Sequence, residues 1–144
     1  MQWDGTATGG FTTGEPWLPF GADAASRAVD LQEADPSSSL HAYRRLLAAR
    51  RRLLAAGLPD QVQLLDTAPD VLAFRRGSLV VVLNTAAEPV EVEAGAASLL
   101  EATADGASVD GGVVTVPSAA TVWLTTAAAS PPRLLLVTAD SGAP

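Results

Sequence analysis

The chain reads as mainly β with one long helix, the helix leading into a C-terminal antiparallel β-sandwich. Three observations predict this. Glycine and proline punctuate the first 35 residues too often for a regular element, yet large aromatics sit among them. One stripe of helical period follows. From Gln61 onward the apolar period falls to two, with turn signals at short intervals.

In the first stretch, Gly5, Gly9, Gly10, Gly14, Pro16, Pro19 and Gly21 alternate with Trp3, Phe11, Trp17 and Phe20. Aromatic rings favour burial and glycines permit tight turns, so an ordered loop draped over another surface is expected rather than a linker. Loops of this length in compact domains usually border a functional site. The helix is expected over residues 36–56. Asp35 suits the cap and Pro36 the first turn, and Leu40, Tyr43, Leu46, Leu47, Leu53 and Leu54 form the stripe. Gly57 fits the left-handed position beyond the end, and Pro59 blocks continuation.

Strands are expected over residues 62–65, 71–75, 79–84, 90–93, 99–102, 113–116 and 121–125. Short strands at such spacing suggest a small sandwich. Leu79-Val80-Val81-Val82-Leu83 is apolar on both faces and reads as a central strand covered on both sides. Val90-Glu91-Val92-Glu93 alternates, as a strand with one wet face does. Residues 127–144 form a tail. In it Ser130-Pro131-Pro132 reads as a linker, and residues 134–138 as either an extra strand or a stray apolar tail.

Composition excludes several functions. At 144 residues the chain holds one domain, or a small domain plus part of another. With 48% hydrophobic residues it is not wholly disordered. There is no cysteine and only one histidine, so disulfides, thiol catalysis, cysteine-ligated metal and multi-histidine zinc sites are excluded. No cofactor or metal is therefore expected. The net charge is −7 and all nine basic residues are arginines, which disfavours nucleic-acid and anionic-membrane partners. No run approaches the roughly 18 apolar residues of a membrane span, and the N-terminus lacks a signal-peptide pattern. A cytoplasmic location is the resulting expectation.

No residue stands out as catalytic. His41 lies beside the helix stripe without a recognisable nucleophile and reads as structural. Glu91 and Glu93 share a strand face about 7 Å apart, within the range of about 5–9.5 Å used by glycosidase carboxylates. An open face offers neither a pocket nor burial to raise one pKa, so a solvated face that deters edge pairing fits better. Arg50-Arg51-Arg52, with Arg44 and Arg45, reads as a solvated or salt-bridged helix face. Gly111-Gly112 precedes a strand, so it is a hairpin turn and no phosphate loop. Trp123 alternates with Val122 and Leu124; burial suits it better than a sugar-stacking role.

Several spaced motifs carry a resemblance. Met1-Gln2-Trp3-Asp4, Gly10-Phe11-Thr12-Thr13-Gly14, Pro16-Trp17-Leu18, Gln32-Glu33-Ala34-Asp35-Pro36 and Tyr43-Arg44-Arg45-Leu46 follow in that order. Together they resemble isomaltase-type alpha-glucosidases of the alpha-amylase family of glycoside hydrolases. The likeness is strong over residues 1–52 and looser over 71–124, where Val80-Val81-Val82-Leu83-Asn84 is similar to that family's C-terminal domain.

The resemblance implies that residues 1–57 are the final loop and last helix of a truncated (β/α)₈ barrel. Residues 58–126 would be the C-terminal β-sandwich domain and 127–144 the tail. It also implies that Trp3 and Asp4 lie at the rim of a sugar pocket as substrate-binding residues, because barrel active sites sit at the strand C-terminal ends; the alternative is that they brace the loop and touch no substrate. The family is a retaining one and uses an aspartate nucleophile, a glutamic acid/base and a second aspartate. Its motifs for all three lie before this stretch and do not occur here, so no catalytic residue is assigned. The implied function is that of a C-terminal, barrel-capping part of an enzyme acting on terminal alpha-glucosidic bonds of oligosaccharides. That part alone is expected to be inactive, and its implied partner is the N-terminal catalytic barrel, with oligosaccharide bound only in that context. A non-catalytic carbohydrate-binding or interaction β-module is the alternative.

Overall fold

The computed structural model describes residues 1–126. The tail considered above, with its linker and its apolar run, lies outside the described residues. The described residues divide into two compact units, one over residues 1–48 and one that begins at residue 49.

The first unit is a long loop followed by a 3₁₀ turn, Ala25–Arg27, and a short helix α1, Val29–Ala34. Helix α2, Ser39–Ala55, begins in this unit and spans 17 residues. Two expectations change here. The first 35 residues are not wholly irregular, because α1 forms within them. And the helix does not start at Pro36. The Asp35 carboxylate accepts from the Ser37 amide (2.9 Å) and hydroxyl (2.7 Å), and the Ser38 amide bonds the Asp35 carbonyl (3.0 Å). Residues 35–38 are thereby committed to a turn, and the capping role passes to Ser38. Its hydroxyl donates to the Gln32 carbonyl (2.6 Å) and accepts from the His41 amide (3.4 Å). The Gln32 side-chain oxygen accepts from the Leu40 amide (3.1 Å), so α1 supplies a second acceptor to the start of α2.

In the second unit α2 ends in a Schellman motif. The Leu58 amide bonds the Leu53 carbonyl (3.1 Å), the Gly57 amide bonds that of Leu54 (3.0 Å), and Gly57 has φ +83°. Eight antiparallel strands follow: β1 Gln63–Leu65, β2 Val71–Arg76, β3 Leu79–Asn84, β4 Val90–Glu93, β5 Ala97–Ala102, β6 Ser108–Asp110, β7 Val113–Val116 and β8 Ala120–Thr126. They form a five-stranded sheet in the order β1-β2-β3-β8-β5 and a three-stranded sheet in the order β4-β7-β6. Each expected strand is present within two residues at either end, and β6 is additional.

β3 is the central strand of the larger sheet, and Leu79, Val80, Val81 and Val82 are all buried. Val71, Ala73, Val80, Val82, Val122 and Leu124 of that sheet cluster with Val92, Val114 and Val116 of the smaller one. The alternation of β4 resolves as expected, with Val92 buried and both glutamates exposed. Strands β6 and β7 join through Gly111 (φ +55°) and Gly112 (φ +86°), the paired positive φ of a type I′ hairpin.

Two glycines of like conformation differ in surroundings, which makes a test of packing. Gly77, in the β2–β3 turn, has φ +57°, and a Cβ there would sit 2.7 Å from Pro59 Cδ. Gly95 has φ +56° with nothing within 4 Å of the same position. Gly95→Ala is expected to cost about 1 kcal/mol from the left-handed backbone alone. Gly77→Ala adds the collision with a rigid ring and should cost about 2–3 kcal/mol. Urea denaturation of the two variants measures the difference; equal losses would remove the Pro59 contact from the explanation.

Candidate functional site

The loop of the first unit holds the motif residues, and its backbone is closed on itself. The Trp3 amide donates to the Gly9 carbonyl (2.7 Å), and the Gly9 amide to that of Thr6 (3.0 Å). The Val29 and Asp30 amides, at the start of α1, donate to the carbonyls of Gln2 and Trp3 (3.1 Å each). These bonds satisfy first-turn amides that lack helical partners, so the helix start and the loop start anchor one another.

Within this turn the Asp4 carboxylate is engaged by its own loop. Oδ1 accepts from the Thr6 hydroxyl (2.6 Å) and the Thr6 amide (2.9 Å). The hydroxyl bond first, and the amide bond second, hold the Asp4 pKa below its ordinary value. Asp35 is lowered in the same way, by the Ser37 hydroxyl and then the Ser37 amide. The Trp3 side chain is about half exposed, at 52%. The structure therefore brings Trp3 and Asp4 into one closed turn as neighbours with different surroundings.

Beside that turn runs an open groove of about 660 Å³, whose walls include Met1, Phe11, Trp17, Leu18 and Phe20, with Glu15, Asp23 and Arg27 among the polar lining. Phe11 and Phe20 meet edge to face, with centroids 5.6 Å apart. Arg27 pairs with Asp23 at 3.3 Å. Asp4 lines a smaller cleft of about 210 Å³ with Gln2, Thr6 and Phe20, and Trp3 lines neither. An aromatic groove with a few polar groups suits the apolar face of a sugar ring or an apolar protein wall.

The other flagged residues fall apart from this loop or take structural roles. The His41 ring bonds the Glu33 carbonyl through Nε2 (3.0 Å), and Arg44 pairs with Glu33 (3.0 Å). Both tie α2 to α1. Arg50, Arg51 and Arg52 are exposed on α2. Glu91 and Glu93 lie on β4, an edge strand of the smaller sheet. Trp123 and Phe74 are half-buried on the larger sheet, one on each side of Val81. Among the described residues no group of three or more metal-ligating side chains converges, and no helix is long and apolar enough to cross a membrane.

Sequence reading missed Thr6, Ser38 and Asn84 as organising residues. An aspartate two residues before a threonine is the spacing of a side-chain-capped turn, so Thr6 carried a local signal. Asn84 was masked because two of its four partners, Val116 and Pro117, lie more than 30 residues away in the sequence. Its Nδ2 lies 2.9 Å from the Glu88 carbonyl, 3.2 Å from that of Val116 and 3.1 Å from that of Pro117, and its Oδ1 accepts from the Ala86 amide (2.9 Å).

This combination of loop, helices and two-sheet β-unit is that of the C-terminal part of alpha-amylase family enzymes. The trehalulose synthase MutB from Pseudomonas mesoacidophila MX-45 superposes with a TM-score of 0.72 at 25% identity, over 86% of this chain and 24% of its own. By sequence, the chain is 41% identical over 78 residues to the "Probable alpha-glucosidase" of Rhizobium meliloti, a match covering 53% of this chain and 14% of the relative. It is 33% identical over 106 residues to the glucan 1,6-alpha-glucosidase of Streptococcus pneumoniae, covering 69% of this chain and 20% of the relative. No family model matches the chain. The chain is homologous to the C-terminal part of alpha-glucosidase-like glycoside hydrolases, and it spans a fifth or less of the length of these two relatives.

Proposed function

We propose that these residues serve an alpha-glucosidase acting on terminal alpha-glucosidic bonds of oligosaccharides, as its barrel-completing and barrel-capping part. In this reading residues 1–57 are the final loop and last helix of the catalytic (β/α)₈ barrel. Residues 58–126 are the β-domain that follows. The N-terminal catalytic barrel is the partner and supplies the nucleophile and the acid/base. Trp3 and Asp4 stand at the rim of the sugar pocket.

One observation supports this most directly. Among residues 1–48 only Gly9, Ala28 and Ser38 are buried, while Trp3, Phe11, Trp17, Leu18, Leu31, Tyr43 and Leu47 are each half exposed or more. A segment this apolar with no core of its own requires a second surface, and a barrel wall is a surface of that kind.

The test is a hybrid enzyme in which this chain replaces the C-terminal part of the Rhizobium meliloti relative from the first matched residue onward. The hybrid should hydrolyse a chromogenic alpha-glucoside, and the 144-residue chain alone should not. Turnover at enzymatic rates by the chain alone would overturn the proposal. So would a relative that keeps full activity with the matched segment deleted.

A further inference from the structure

The loop geometry separates the roles of two adjacent motif residues, an inference that rests on the function just proposed. We infer that Asp4 is a positioning residue: its carboxylate clasps the turn from residue 4 to residue 10 and so fixes the direction of Trp3, without itself contacting the sugar.

Three observations carry this. First, Oδ1 of Asp4 is committed to two bonds from Thr6, at 2.6 and 2.9 Å. Second, its other oxygen lies against Gly10. A Cβ added there would sit 2.6 Å from Oδ2 and 2.9 Å from Cγ, and Gly10 has φ +70°. One carboxylate thus bonds Thr6 through one oxygen and packs against Gly10 with the other. Third, the Trp3 backbone is held from both sides, by Gly9 through its amide and by Asp30 through its carbonyl (2.7 and 3.1 Å), while the residue stays about half exposed. A backbone pinned on both sides fixes the direction in which the Trp3 Cα–Cβ bond leaves the turn, and so limits where the ring can reach. The depressed Asp4 pKa agrees with a carboxylate held by donors rather than awaiting a ligand.

Both Thr6 bonds need only an acceptor at Oδ1, which an asparagine retains. This sets the clasp apart from a ligand-binding carboxylate. In the hybrid enzyme Asp4→Asn should recover most of the KM loss seen in Asp4→Ala. Asp4→Ala and Gly10→Ala should each raise KM about fivefold to twentyfold with kcat little changed. The double variant should lose less than the sum of the two single losses, because removing the carboxylate relieves the collision at residue 10 and leaves only the left-handed strain. Asparagine as damaging as alanine in a folded enzyme would overturn the inference, as would additive losses in the double variant.

A second arm uses the 144-residue chain without any barrel. Amide shifts of Trp3, Thr6, Gly9 and Gly10 should be retained in Asp4→Asn and displaced together in Asp4→Ala. An alanine variant with unmoved Trp3 and Gly9 amides would also overturn it. An inactive hybrid refutes the enzymatic reading alone, while the amide shifts still decide whether the clasp exists.

Discussion

Replacing Asn84 by alanine is expected to cost about 3 kcal/mol, the largest loss for any single side chain outside the hydrophobic cluster. Asn84 is fully buried at the end of β3. Its amide group faces the carbonyls of Glu88, Val116 and Pro117, and its oxygen holds the Ala86 amide. β3 belongs to the larger sheet and Val116 ends β7 of the smaller one, so a single side chain bridges the two sheets and the loop leading to β4. Alanine leaves buried carbonyls and an amide without partners, each worth about 1–3 kcal/mol if water cannot reach them. For a unit of this size the melting temperature should fall by roughly 10–20 °C. Asn84→Asp should be at least as damaging, because it turns a donor facing three carbonyls into an acceptor. A thermal shift of a few degrees for either variant would show that the bridge is dispensable.

The second large effect concerns the apolar surface of residues 1–48. Trp17 is 91% exposed and Tyr43 69%. With Trp3, Phe11, Leu18, Leu31 and Leu47 they leave about half of their combined apolar surface in water or more. Covering such a side chain completely is worth about 1.5–3 kcal/mol, so covering this set would contribute roughly 5–10 kcal/mol. That equals the stability of a small domain. The isolated chain is therefore expected to self-associate at micromolar concentration and to bind a hydrophobic dye. Co-expression with the N-terminal portion of the Rhizobium meliloti relative should suppress both. A dye-negative monomer that ignores the added barrel would show that these side chains already have partners.

The β-unit was legible because its signal is local. Alternation along β2, β4, β7 and β8 places the core residues on one face, the unbroken apolar run of β3 marks a strand covered on both faces, and glycines mark the turns. β6 escaped because Ser108-Val109-Asp110 has one apolar residue in three, and a single position carries no period. α1 escaped for the same reason, being six residues long and following a glycine-dense loop. The start of α2 was misplaced because Asp35-Pro36 has the composition of a helix start. The competing bond to Ser37 is equally local, and it wins once Ser38 and Gln32 offer α2 a better cap. The motif residues of the loop were visible in sequence, but their division of labour was not. It depends on how near Gly10 comes to Asp4, a distance that only the folded turn defines.

Native-state hydrogen exchange on the 144-residue chain, with and without the barrel portion of the relative, tests the central claim most directly. In the chain alone, amides of β2, β3, β7 and β8 should be strongly protected while those of residues 1–48 exchange orders of magnitude faster. Adding the barrel should slow the loop and the first turns of α2 and leave the strands unchanged. Strong protection of residues 1–48 in the chain alone, unaltered by the barrel, would contradict it.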